Sequence, residues 1–196
     1  KQQIKGARKQ HYLKKKAELL KSSDTTFAWQ RFLLLTELLD LVKDNHLGFY
    51  QRVNYQLFKT REQIDSLFAA DYYRDVPSVT WNLDSLKEEL ARKSKEDIEG
   101  IFHYGSDFNL GILKTGEQQY MGVVLESSTP YVKPGYIMAW LREKENNRLS
   151  AIYLHPVTKH FNYYATERYA NQQLLYSKLY PTNYAGIYTK ELNPPD

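Results

Sequence analysis

The stretch Asp97-Ile98-Glu99-Gly100-Ile101-Phe102-His103-Tyr104 divides the chain into two kinds of pattern. Before it, apolar residues recur at helical spacing; within and after it they alternate, so that Ile98, Gly100, Phe102 and Tyr104 fall on one face of a strand. Phe108, Leu110 and Ile112 mark a second strand, and Lys114-Thr115-Gly116-Glu117 reads as the turn of a hairpin. Further strands are expected from Tyr120 to Leu125, Ile137 to Arg142, Leu149 to Leu154 and His160 to Tyr164. Lys133-Pro134-Gly135 and the polar run from Glu143 to Arg148 supply turns between them. Consecutive antiparallel strands of this kind curl into a small barrel. Of the 17 tyrosines, 12 lie beyond residue 97, which suits the β-propensity of aromatic residues on half-exposed sheet faces.

Upstream, Ile4, Ala7, His11, Leu13, Ala17 and Leu20 set a first helix, and Ser22-Ser23-Asp24-Thr25 breaks it. Phe27, Phe32, Leu34, Leu35, Leu38, Leu39 and Val42 cover more than half of a second helix, which predicts contacts on more than one side. Thr60-Arg61-Glu62-Gln63 has the order of a capping box ahead of Ile64, Leu67 and Phe68, and Leu83 to Lys95 follows Pro77 as a fourth helix. The expected fold class is therefore α+β. An N-terminal helical bundle (residues 1–96) precedes a small antiparallel β-barrel-like module (97–192), and 193–196 form a linker or chain end. Trp140 is expected to face inward.

Composition narrows the function. A 42% hydrophobic share in 196 residues is enough to bury a core. The most apolar run, Leu33 to Val42, is interrupted by Thr36, Glu37 and Asp40, far short of the roughly 18 residues of a membrane-spanning helix. No leader pattern follows the initial Lys1, which reads as the start of a mature or excised piece. The absence of cysteine removes disulfide and thiolate-metal chemistry. The net charge of +4 is concentrated at Lys1, Lys5, Arg8, Lys9, Lys14, Lys15, Lys16 and Lys21, with the rest near neutral; lacking a recognition motif, this is read as a solvated face, and no nucleic-acid partner is expected.

The histidines 11, 46, 103, 155 and 160 show no close-spaced ligand pattern, so neither a metal nor a cofactor is expected. Ser127-Ser128 precedes Thr129-Pro130 and reads as a turn whose hydroxyls bind backbone rather than as a nucleophile. Glu99 and Glu126 form a carboxylate pair only in a register that alternation does not specify. Asp44-Asn45-His46 ends the leucine-rich helix. On physics alone it is a helix terminator, with Asn45 suited to a left-handed backbone, His46 to the helix C-terminus and Gly48 to the exit.

The order Phe27, Trp29, leucine-rich helix and Asp44-Asn45-His46-Leu47-Gly48-Phe49 resembles the N-terminal part of the C-terminal-processing, or tail-specific, serine peptidases, most closely those of Bacteroidetes-type bacteria. Ile98-Glu99-Gly100-Ile101-Phe102, Tyr120-Met121-Gly122-Val123-Val124-Leu125 and Lys133-Pro134-Gly135-Tyr136-Ile137 are similar to segments of a β module that precedes the protease core in such proteins. Phe102 stands where the resemblance leads one to expect Trp. The resemblance implies an extracytoplasmic (periplasmic or secreted) location, a polypeptide substrate and a separate protease core that holds the nucleophilic Ser. His46 would be the base and Asp44 its orienting acceptor, while this segment alone is inactive. Two further readings rest on the residues themselves. A lipocalin-like barrel would hold an apolar ligand among Phe108, Met121, Trp140 and Tyr153; a cell-surface interaction module would use exposed tyrosines.

Overall fold

The computed structural model describes residues 6–21, 27–42, 47–70, 75–145, 148–170, 173–175 and 188–189. They form four helices: α1 (Gly6–Lys21), α2 (Ala28–Leu39), α3 (Arg61–Ala69) and α4 (Leu83–Ala91). A short 3-10 turn spans Tyr55–Phe58. The strands are β1 (Gly48–Tyr50), β2 (Gly100–Tyr104), β3 (Phe108–Gly116), β4 (Gln119–Ser127), β5 (Ile137–Lys144), β6 (Arg148–Leu154), β7 (Phe161–Ala170), β8 (Gln173–Leu175) and β9 (Tyr188–Thr189). The class is α+β. Among the described residues no helix is long and apolar enough to cross a membrane.

Local signals act where they were read. Thr60 Oγ1 accepts from the backbone N–H of Gln63 at 3.2 Å while Gln63 Oε1 accepts from that of Thr60 at 3.2 Å, so two otherwise unpaired helix donors are satisfied reciprocally. Asn82 caps α4 by accepting from the Ser85 N–H at 3.1 Å. The β3–β4 turn, by contrast, falls on Glu117 and Gln118 rather than on Lys114 to Glu117, because β3 continues through an irregularity between Lys114 and Gly116. The serine-rich break at 22–25 and the tail at 193–196 lie outside the described residues.

The sheet is antiparallel and curled, in the order β1-β7-β6-β5-β4-β3-β2-β9-β8, with β8 also pairing with β7. It is a half-barrel whose two sides are bridged by the short β8 and β9. The helices are spread over it: α1 rests on α2, α2 on β7, and α4 on β2, β3 and β4, while α3 meets the 3-10 turn. A bundle held by helix–helix contacts is therefore not the organising feature; apolar helix faces find larger apolar area on the sheet. The first half of the chain also contributes to the ladder. Phe49 pairs with Tyr163, and the Ile137 N–H donates to Pro77 O at 2.8 Å.

Both sheet faces are covered. Phe102, Leu110, Ile112, Val124 and Leu141 turn into the curl and are buried; Met121, Trp140, Ile152 and Tyr163, cross-strand neighbours on the opposite face, turn toward the helices. Trp140 thus points outward onto α2, where its ring stacks on Trp29 with centroids 6.4 Å apart. Phe32 of α2 stacks between Phe49 at 4.7 Å and Phe161 at 5.3 Å and is buried, a burial of the kind that stabilises by about 2 kcal/mol. Thr36, also buried on α2, donates its hydroxyl to Leu33 O at 2.7 Å, which satisfies it inside the apolar seam. Inside the curl space is short. A Cβ on Gly122 would lie 2.8 Å from Leu110 Cδ2 and 2.9 Å from Ala139 Cβ. Gly135, at φ +87°, combines a left-handed backbone with close approach to Val79 O, which a Cβ would meet at 2.7 Å.

Two buried carboxyls mark the two faces. Asp40, the residue that closes α2, accepts from Arg142 Nη1 at 2.8 Å, Lys144 Nζ at 2.8 Å and Tyr163 Oη at 2.6 Å. Burial is the largest single influence and acts to raise its pKa, but these three partners together hold the carboxyl below its ordinary value. Glu167 lies inside the curl, 1% exposed, accepting from Tyr153 Oη at 3.2 Å and from the Arg168 N–H at 2.8 Å. Burial pushes it up to about 8.

Replacing Asp40 by Ala should destabilise the chain by about 2 to 3 kcal/mol, somewhat less than a fully buried pair because Arg142 and Lys144 stay partly solvated. Its contribution is present above the unfolded carboxylate pKa and is lost as pH falls through the depressed folded value, so urea titrations of the variant should converge on wild type in acid. Glu167 has the opposite sign. Its burial is tolerated below the unfolded carboxylate pKa and costs stability as pH rises through about 8. Glu167→Gln should therefore gain on the order of 2 kcal/mol at pH about 9 and little at pH about 5; equal effects at both would show that the group does not titrate there.

Candidate functional site

The β6–β7 hairpin, His155-Pro156-Val157-Thr158-Lys159-His160, concentrates groups with displaced protonation equilibria. The turn is closed by His155 N–H donating to His160 O at 2.9 Å and Lys159 N–H donating to His155 O at 3.0 Å. Lys159 sits at φ +52°, the sole described non-glycine residue in the left-handed region, a strained backbone that the surrounding bonds hold.

His155 Nδ1 accepts from the backbone N–H of Val157 and of Thr158, each at 3.1 Å, so the neutral ring carries its proton on Nε2. Burial, reinforced by the nearby His160 and Lys159, pushes His155 down to about 4. His160 stacks on it with ring centroids 5.0 Å apart, shares a hydrogen bond between Nδ1 and Thr158 Oγ1, and is held low by burial against a raising bond from Asn162. Lys159 Nζ donates to Tyr131 O at 2.5 Å and to Pro156 O, with the rings of Phe68 and Tyr136 each 5.5 Å away. Burial pushes this amine down to about 7, while carbonyl acceptors and ring faces favour its charged form.

The hairpin forms one wall of a groove of about 370 Å³. The start of α2 (Ala28, Trp29), residues 51–54 beyond β1, and residues 75–77 form the rest. Its lining alternates polar and apolar groups: Arg52, Asn54, Asp75, Thr158 and His160 beside Trp29, Val53, Val76, Pro77 and Phe161. One wall has strand character, since the Gln51 N–H donates to Phe161 O at 3.0 Å and the Phe161 N–H donates back to Gln51 Oε1 at 3.0 Å. Such a surface can hold an extended, partly apolar segment.

The sequence-derived candidates are placed differently. Asp44 and His46 lie outside the described residues. Phe108 and Tyr153 belong to the interior of the curl, whereas Met121 and Trp140 are a cross-strand pair on the helix-covered face, so the four do not share one lining. Ser127 donates to Thr129 O at 3.0 Å and Ser128 to Ser106 O at 2.8 Å, as turn hydroxyls do. Glu99 bonds Lys93 Nζ and the Lys114 N–H, each at 3.1 Å, and Glu126 pairs with Lys87 and Asn109, so each carboxylate has its own partners. Among the described residues no three His, Cys, Asp or Glu side chains converge as metal ligands. The histidine pair of the hairpin is what sequence reading missed. The available signal was two histidines flanking a four-residue turn between expected strands, which an antiparallel hairpin makes neighbours.

No known protein family, curated protein or solved structure matches the chain.

The depressed His155 gives a stability contribution present above the unfolded imidazole pKa of about 6.5 and lost as pH falls toward about 4. His155→Gln should flatten this dependence, losing about 2 kcal/mol less than wild type across that window in thermal or urea titrations. Parallel curves for the two proteins would place the sensitivity elsewhere.

Proposed function

We propose that this chain is a non-catalytic module, the N-terminal region of a serine peptidase of the tail-specific kind, which braces a protease core and guides extended polypeptide toward it from an extracytoplasmic position. The observation that carries the reading is the separation of hydroxyls from bases. Ser127 and Ser128 are committed to backbone carbonyls, while the paired imidazoles of His155 and His160 border a groove suited to an extended segment.

The segments that carry the resemblance support a bracing role. Gly122 in β4 and Gly135 in the turn before β5 are positions of close approach, and Glu99 ties the entry of β2 to Lys93 and β3. In this reading His46 is a base for a nucleophile supplied by the core, with Asp44 as its acceptor; its unperturbed pKa of about 6.5 suits proton transfer near neutrality. The segment that holds it follows α2 and precedes β1, both of which join the packed core.

The isolated chain should not hydrolyse casein, but should bind unfolded casein saturably in a calorimetric titration. Replacing Arg52 and Val53 by Ser should weaken that binding about tenfold. Joined to its protease core, the His46→Ala protein should lose peptide hydrolysis about a hundredfold with its melting temperature unchanged. Hydrolysis by the isolated chain, or casein binding indifferent to the Arg52 and Val53 changes, would reject the reading.

A further inference from the structure

We propose that the outward face of α1 docks on the surface of an anionic lipid bilayer. Among the described residues α1 packs on α2, where Leu19 is buried and Lys15 pairs with Glu37 at 2.7 Å. With about 100° of turn per residue, the opposite side carries Leu13 and Leu20 nearly in line. They are 51% and 65% exposed, with exposed Ala17 beside them. Lys9 and Lys16 border this stripe on one side and Lys21 on the other, all exposed.

The charge of the whole chain orients this face. Eight of the 27 Lys and Arg but one of the 23 Asp and Glu fall within the first 21 residues, so that end carries +7 and the remaining chain −3. An anionic surface attracts the helix and repels the rest, which turns α1 toward it. A lipid surface fits better than nucleic acid. Two leucines between lysines gain free energy at the boundary of headgroups and acyl chains, whereas phosphate backbone offers them nothing.

Cosedimentation of the 196-residue chain with vesicles tests the inference. Phosphatidylcholine vesicles containing about 30% phosphatidylglycerol should retain the chain at low salt, and pure phosphatidylcholine vesicles should not. Each of Lys9→Gln, Lys16→Gln and Lys21→Gln should lower the partition coefficient about fivefold, and the triple variant about a hundredfold. Leu13→Ser with Leu20→Ser should lower it about tenfold at unchanged charge. Circular dichroism of all variants should match wild type, because the altered side chains are exposed. Failure to bind anionic vesicles, or binding unaffected by the leucine changes, would overturn the proposal. Equal retention on a double-stranded DNA column, indifferent to those leucines, would overturn it in favour of a nucleic-acid partner.

Discussion

The carboxylate of Asp40 joins the two halves of the chain. It stands at the end of α2 and gathers Arg142 and Lys144 from β5 and Tyr163 from β7, residues more than a hundred positions away. A helix laid on an apolar sheet face can slide, since hydrophobic contact has no direction. Three hydrogen bonds from three separate side chains to one acceptor remove that freedom. The stack of Phe32 on Phe49 and Phe161 then has a defined register, and so does the start of α2 that walls the groove. Burial of Asp40 alone would be costly; the paired cations and the phenol offset it, at the expense of a dependence on pH.

Inside the curl the constraint is volume. Strand curvature brings neighbouring side chains together on the concave face, and Gly122 opposite Ala139 and beside Leu110 is the sequence's accommodation of it. Glu167 in that interior is a costly choice by the same measure, kept tolerable by Tyr153 and the Arg168 N–H and by its own protonation. The two buried acids therefore oppose each other in pH: Asp40 is stabilising when ionised, Glu167 when neutral.

The hairpin from His155 to His160 follows the same logic at the surface. Its turn satisfies backbone donors with the imidazole of His155 and a backbone acceptor, Pro156 O, with the amine of Lys159, so the groups that give the groove its chemistry also shape the turn. Its polar groups hold that wall of the groove in place.

Sequence alone determined the parts that depend on neighbours along the chain. The change of period at Asp97, the capping box at Thr60 and the strands from β2 to β7 all follow from residues within a few positions of one another. The strand-like aromatic run after Asp44-Asn45-His46 became β1, whereas the very short β8 and β9 carry too few residues for alternation to show and exist because a longer strand offers them an edge. Trp140 illustrates the deeper limit. When both faces of a sheet are buried, one under helices and one inside the curl, both are apolar, and alternation tells that two residues differ in face without telling which face is inside. The pairing of Asp40 with Arg142 and Lys144, the stacking of His155 on His160 and the groove between α2 and the β6–β7 hairpin were decided by tertiary structure, because each requires residues distant in the chain to meet in space.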